Sequence, residues 1–146
     1  MIDKLTVREI IGRRDDIWCV DADDTADVAA LKLKNYKIRS LGVLKDGKLV
    51  GVVGNNDFAR EVVARSKVPS KVKVSEIMTT NIRSVTLDTP FVECLELMEQ
   101  HHIAHLVVFD DNGEYHGMIT WHELQTRVVE ELKNQLDLLQ EYAFGR

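Results

Sequence analysis

The chain has only two cysteines, Cys19 and Cys94, and no Cys-x-x-Cys spacing. Both sit inside apolar runs, which excludes a disulfide framework and points to buried thiols in a reducing compartment, the cytoplasm. No apolar run approaches the roughly 20 residues of a membrane span. The opening residues, Met-Ile-Asp-Lys-Leu-Thr-Val-Arg-Glu, carry charge where an export signal has its apolar core, so the expectation is a protein neither exported nor embedded. A Ser elbow, a Gly-rich phosphate loop, a His-Glu-x-x-His pattern and a paired-acid motif are all missing, which leaves a catalytic reading with nothing but scattered residues. The acidic pairs Asp15–Asp16 and Asp23–Asp24 lie in or beside turns, where carboxylates cap helices and face water. Positive charge is short as well. Residues 1–70 hold 13 Lys and Arg against 11 Asp and Glu (+2), and residues 71–146 hold 6 against 13 (−7). Such a surface repels a nucleic-acid backbone, although a small anion near the first half remains compatible with it.

What is present is an ordinary globular composition, 146 residues with 45% hydrophobic and 29% charged. A chain of this size buries roughly 68–70% of its unfolded surface without a metal or disulfide. Its organising feature is an internal repeat. Ile38–Phe58 and Ile103–Leu124 share one pattern of strand, turn, strand and helix start, pairing Ile38 with Ile103, Gly47 with Gly113 and Gly51 with Gly117. The period is 65 to 66 residues, too long for a solenoid, so two strand-rich units should pack on each other with approximate twofold symmetry.

Along each copy the same order of elements is expected. In the first, Thr6–Ile11 reads as a short helix, Ile17–Val20 as a brief strand, and Thr25 caps a helix to about Tyr36 with Val28, Ala29, Ala30 and Leu31 as its apolar positions. Leu41–Leu44 and Leu49–Val53 form a hairpin around Asp46–Gly47, and Asn55, Asn56 or Asp57 caps a helix ending near Arg65. In the second, Val74–Met78 is the short helix, Arg83–Thr86 the strand, and Thr89 the cap of a helix with Pro90 in its first position, ending at His101–His102. His105–Phe109 and Tyr115–Ile119 make the hairpin, and Trp121 opens the last helix. The resulting division is a first repeat over 1–66, a linker over 67–73, a second repeat over 74–128 and a helical extension over 129–146. In that extension Val129, Leu132, Leu136, Leu139 and Ala143 fall in one stripe, which either packs on the chain's own body or serves as a seam for self-association.

This tandem order resembles a cystathionine-β-synthase-type (CBS) domain pair. The residues that carry the resemblance are Val74–Thr79, Asp88-Thr-Pro, Ile103–Val108 and Gly117–Glu123 in the second copy, with Val7–Ile11, Ile38–Leu41 and Gly51–Asp57 in the first. The resemblance implies an α+β fold of two βαββα units whose sheets face each other, plus the extended C-terminal helix. It also implies a regulatory module that binds AMP, ADP, ATP, NAD or S-adenosylmethionine in clefts between the repeats, with no catalysis and no obligatory cofactor.

The family's motif of Gly, two apolar residues, Ser or Thr, any two, and Asp is split here. Copy one keeps the acid, Asp57, but has Gly54 where the hydroxyl belongs, and copy two keeps Thr120 but has Glu123 for the acid. The family's proline in the strand after the helix is replaced by Gly42 and Val107. By correspondence, Asp16–Ile17 and Asn81–Ile82 lie where backbone contacts an adenine, and Arg39 lies where an arginine contacts phosphate, with Arg83 and His105 behind it. The resemblance also implies a homodimer and an effector protein that reads the ligand state.

Two other readings stand beside the sensor. One is an interaction module with empty clefts, consistent with the split motifs. The other is a metal-responsive protein, because His101, His102, His105, His116 and His122 all lie in the second copy. Helix ends and surface positions explain such histidines equally well. Trp18 and Trp121 are core or interface residues by type, with purine stacking as the functional alternative.

Overall fold

The computed structural model describes residues 4–14 and 16–145; Asp15, of the first acidic pair, lies outside them. Two three-stranded sheets are present, each with one parallel and one antiparallel pairing. In the first copy β1 (Cys19–Asp21) runs parallel to β2 (Ser40–Lys45), which turns back as β3 (Lys48–Gly54). Helix α1 (Val7–Ile11) precedes β1, α2 (Ala26–Tyr36) crosses between β1 and β2, and α3 (Asn55–Phe58) follows β3 and continues as a π-helical stretch, Ala59–Val63. The second copy repeats this with α4 (Val74–Ile77), β4 (Ser84–Thr86), α5 (Phe91–His101), β5 (His105–Phe109), β6 (Tyr115–Thr120) and α6 (Trp121–Phe144).

Local chemistry sets the turns. Asp46 and Gly47 both take positive φ, 51° and 78°, the primed turn that a right-twisted hairpin requires. The longer turn of copy two is held by Asp110, whose Oδ1 accepts from the N–H groups of Asn112 and Glu114, both at 2.9 Å. Both crossover helices end in a left-handed residue, Lys37 and His102, a symmetry that the sequence repeat does not spell out.

Several boundaries differ from the sequence reading. The first strand begins at Cys19, not Ile17, because parallel pairing starts at Cys19 opposite Gly42 and the Trp18 ring instead stacks on Tyr36, centroids 3.7 Å apart. The second-copy strand begins at Ser84, one residue after Arg83. Pro90 is the N-cap of α5 rather than its first helical residue, and the Thr89 hydroxyl accepts from Thr86 N–H instead of capping the helix. Gly54 is the N-cap of α3, so Asn55, Asn56 and Asp57 are already helical. On α2 the buried face is Ala26, Ala29 and Leu33, with Val28, Ala30 and Leu31 exposed. Two alanines one turn apart let the helix lie close on its sheet, and that close approach fixes which face turns inward.

The opening helix of each repeat is buried in the other repeat's core. Leu5 and Val7 pack with Val85, Leu87, Phe91, Leu106 and Leu124 of copy two. Val72, Val74 and Ile77 pack with Val20, Ala26, Ala29 and Leu41 of copy one. Backbone bonds repeat the exchange: Val7 N–H donates to Thr89 at 2.9 Å and Val74 N–H to Asp24 at 2.8 Å. Residues 67–73 are therefore not a free tether, since Val72 is buried and its carbonyl accepts from Ala26 N–H. A third apolar cluster, Val52, Val107 and Met118 with Tyr115 beside them, seals the two sheets together. Among the described residues no helix is long and apolar enough to cross a membrane.

Candidate ligand clefts

Where β3 ends and α3 begins, the chain turns Asp57 back toward the strand. Its Oδ2 accepts from Gly54 N–H at 2.8 Å and its Oδ1 from the Thr79 hydroxyl at 3.0 Å. Asp57 is only 8% exposed, with Arg60 at 3.8 Å as its nearest cation. Each carboxylate oxygen keeps a further acceptor site, directed at the space beyond. That space is a cleft of about 560 Å³, within the range that accommodates small ligands. Arg39, Arg60, Arg83, Asn81, Ile82 and His105 line it, together with Asn55, Asn56 and His102.

Six of the residues singled out in the sequence therefore share one cleft: Asp57, Arg39, Asn81, Ile82, Arg83 and His105. They come from both copies, because the 79–83 segment crosses to copy one and pairs there. Thr79 and Val52 exchange both backbone bonds, at 2.8 and 2.9 Å. Burial pushes the His105 imidazole below its ordinary value, an effect that the Asp57 charge opposes. Thr79, Arg60 and His102 were not singled out. Thr79 lies in the opening motif of copy two, and Arg60 follows Asp57 by one helical turn, the only local signals they carry.

The missing hydroxyl has a steric basis. A Cβ at Gly54 would lie 2.9 Å from the Arg39 carbonyl oxygen, which also accepts from Asn55 N–H at 3.2 Å. A serine there requires the backbone to shift. The missing proline has one too, because a Cβ at Gly42 would fall 2.6 Å from Tyr115 Oη. Tyr115 is held in place by donating to the Trp18 carbonyl at 3.3 Å, and burial pushes its phenol up to about 12.

Thr120, Glu123, Asp16 and Ile17 do not line this cleft. They belong to its symmetry mate. Thr120 and Glu123 form a reciprocal cap on α6, with Thr120 Oγ1 accepting from Glu123 N–H and Glu123 Oε1 accepting from Thr120 N–H, both at 3.2 Å. Glu123 Oε2 accepts from Arg14 Nη2 at 2.6 Å, and Arg14 Nη1 donates to the Met118 carbonyl at 2.5 Å. Asp16 and Ile17 lie on the segment that these bonds and the Tyr115–Trp18 bond hold against β6. Among the described residues no group of three or more His, Cys, Asp and Glu is placed to hold a metal ion.

Comparison with known proteins places this architecture. The chain is 28% identical over 134 residues to the mitochondrial CBS domain-containing protein CBSX3 of Arabidopsis thaliana, covering 88% of this chain and 64% of the relative. It is 34% identical over 95 residues to CBSCBSPB1 from the same plant, of which it spans only 18%. Among solved structures, a CBS-domain protein of Burkholderia ambifaria MC40-6 superposes with a TM-score of 0.80 at 30% identity, covering 86% of this chain and 95% of that one. The CBS domain pair of MJ0100, solved in complex with 5′-methylthioadenosine and S-adenosyl-L-methionine, gives a TM-score of 0.76 at 23% identity, covering 87% and 98%. The CBS domain model matches residues 7–64 and 74–130, so the two halves of the pseudo-twofold pair are two copies of that domain and the chain belongs to the CBS domain family.

Proposed function

We propose that this CBS pair is a regulatory sensor that binds one adenosine nucleotide in the cleft around Asp57, and that it binds without catalysing a reaction. The observation that carries the reading is a buried carboxylate with free acceptor sites facing a cleft rimmed by three guanidinium groups, Arg39, Arg60 and Arg83. A carboxylate accepts from both hydroxyls of a ribose, and guanidinium groups pair with phosphate oxygens in bidentate fashion. Ile82 and Val107 supply an apolar wall for the base. The same charge pattern ranks AMP, ADP and ATP ahead of NAD and of S-adenosylmethionine, whose sulfonium adds positive charge among the arginines. MJ0100, a fold relative, holds adenosyl compounds, which supports the ligand class.

The signal is a population shift. A nucleotide touching Asp57 on copy one and the 81–83 segment on copy two favours whichever angle between the copies lets it touch both. The shift is as large as the difference in affinity for the two arrangements. The exposed stripe on α6 supports a homodimer, and an effector protein reads the change through the outer helices. The free thiols of Cys19 and Cys94 fit the cytoplasm.

A melting-temperature screen of the purified protein tests this. Nucleotide at a hundred times its dissociation constant stabilises by about 2.7 kcal/mol, roughly 5–10 °C for a chain of this size. At least one of AMP, ADP and ATP should give such a shift, and Asp57→Asn should remove most of it. If millimolar concentrations of all three leave the wild-type melting temperature unchanged, the sensor reading fails and the interaction-module reading takes its place.

A further inference from the structure

The two clefts are built from equivalent positions but are completed differently. Asp57 and Glu123 correspond, as do Val52 and Met118, each pair 66 residues apart. Counting back from the equivalent Ile17 and Ile82, Arg14 falls opposite Thr79. In the first cleft Thr79 offers the acid a neutral hydroxyl and meets Val52 through backbone bonds. In the second, Arg14 places a guanidinium on the acid and takes the carbonyl of Met118, Val52's counterpart, with its side chain. Copy one has the length for this: opening helices are 67 residues apart (Val7 to Val74) but strands only 65, so two extra residues lie in the segment that carries Arg14.

The Arg14 side chain is 18% exposed and that of Glu123 34%, so the pair sits inside the cleft mouth. Arg14 Nη1 would also be 2.9 Å from a Cβ at Gly117, whose positive φ of 85° and bare Cα let the guanidinium lie flat on β6. Every acceptor that a ligand would use there is thus taken by the chain itself: Glu123 by Arg14 and by Thr120 N–H, the Thr120 hydroxyl by Glu123 N–H, and the Met118 carbonyl by Arg14.

We propose that Arg14 is a built-in occupant of the second cleft, a tethered cationic ligand that limits the pair to one exogenous ligand per chain. The stoichiometric part rests on the function proposed above, whereas the occupancy of a cation subsite by Arg14 does not. Removing the guanidinium leaves a carboxylate and a carbonyl facing a hole of guanidinium shape. The chemistry that refills it is a small planar cation.

The test is chemical rescue in the full-length chain. Arg14→Ala should melt at least roughly 3 °C below wild type, given the loss of charged hydrogen bonds. Millimolar guanidinium chloride, compared with sodium chloride at equal ionic strength, should recover part of that loss. It should recover nothing in the Arg14→Ala/Glu123→Gln double variant and add nothing to wild type. Guanidinium acting no better than sodium on Arg14→Ala overturns the proposal. Should Arg14→Ala fail to fold, Arg14→Lys replaces it, with partial recovery by guanidinium again expected and its absence again decisive. Calorimetric titration of wild type with AMP and ATP supplies the second readout: one site per chain supports the proposal and two overturn it. No binding at all sinks the sensor reading and leaves the rescue experiment to decide the role of Arg14.

Discussion

His105 shows how one buried side chain couples the cleft to pH. It opens β5, pairs across to Thr120, and is half-buried beside Asp57, with Arg39, Arg83 and His102 also lining the cleft. Burial lowers its pKa below the ordinary 6.5, and Asp57 only partly offsets this. The folded state therefore prefers the neutral imidazole, and between the lowered value and 6.5 the unfolded chain binds more protons than the folded one. Stability from this site is complete above pH 6.5 and is lost as pH falls through the lowered value. Replacing it by a neutral amide, His105→Gln, should flatten the fall in urea midpoint between neutral pH and about pH 5 relative to wild type. Curves of equal slope for the two proteins would show that His105 does not titrate differently on folding. Cys94 illustrates the same physics with no functional consequence: burial pushes its thiol up to about 11, so it stays protonated and inert.

At the scale of elements, the exchange of opening helices decides how independent the repeats are. Val7 is fully buried in copy two's core and Val74 fully buried in copy one's. An excised first repeat, residues 1–66, keeps its sheet but loses Val72, Val74 and Ile77 from its core and exposes Leu5 and Val7. Each lost side chain of this kind costs about 1.5–3 kcal/mol, comparable in sum with the whole stability of a small domain. The isolated repeat should therefore lack the cooperative thermal transition of the full chain, and a sharp transition from 1–66 alone would refute the exchange as a source of stability. This exchange was illegible in the sequence, because nothing in Thr6–Ile11 says which sheet it will cover. The repeat itself was legible, since strand, Gly-containing turn, strand and helix recur at fixed offsets and each has a local signature. Strand starts were less so: Ile17 and Trp18 have strand character, but Trp18 is taken by the Tyr36 ring. For the clefts, Asp57 and its six-residue setting could be located from one motif. Arg14 could not, because its partner is 109 residues away and a lone arginine in a polar loop carries no signal of what it will meet.

On the scale of the whole molecule, α6 is the element that the fold of one chain leaves unfinished. Its first turns are anchored by Leu124, fully buried, and Val128, which packs against copy two's core. From Val129 onward the apolar side chains face outward: Leu132 is 51% exposed, Leu136 55% and Leu139 65%. The stripe does not pack on the chain's own body, which leaves self-association or another protein as its use. Its 24 residues extend about 36 Å. A stripe of this length is short for a stand-alone coiled coil, so a dimer needs the two bodies to contribute contacts as well. Covering a half-exposed leucine contributes about 1 kcal/mol. Three leucines on each of two helices then supply roughly 6 kcal/mol, near the lower end of the cost of association. The dimer should accordingly be reversible and concentration-dependent rather than obligate. Light scattering on the full chain should report a dimer at high protein concentration that dissociates on dilution. The triple variant Leu132→Asp, Leu136→Asp, Leu139→Asp should stay monomeric throughout, with a melting temperature near that of the diluted wild type, because these positions touch nothing within their own chain. A dimer that survives the three aspartates would move the interface to the sheet-flanking helices α2 and α5, where Val28, Leu31 and Val92 are the exposed apolar residues.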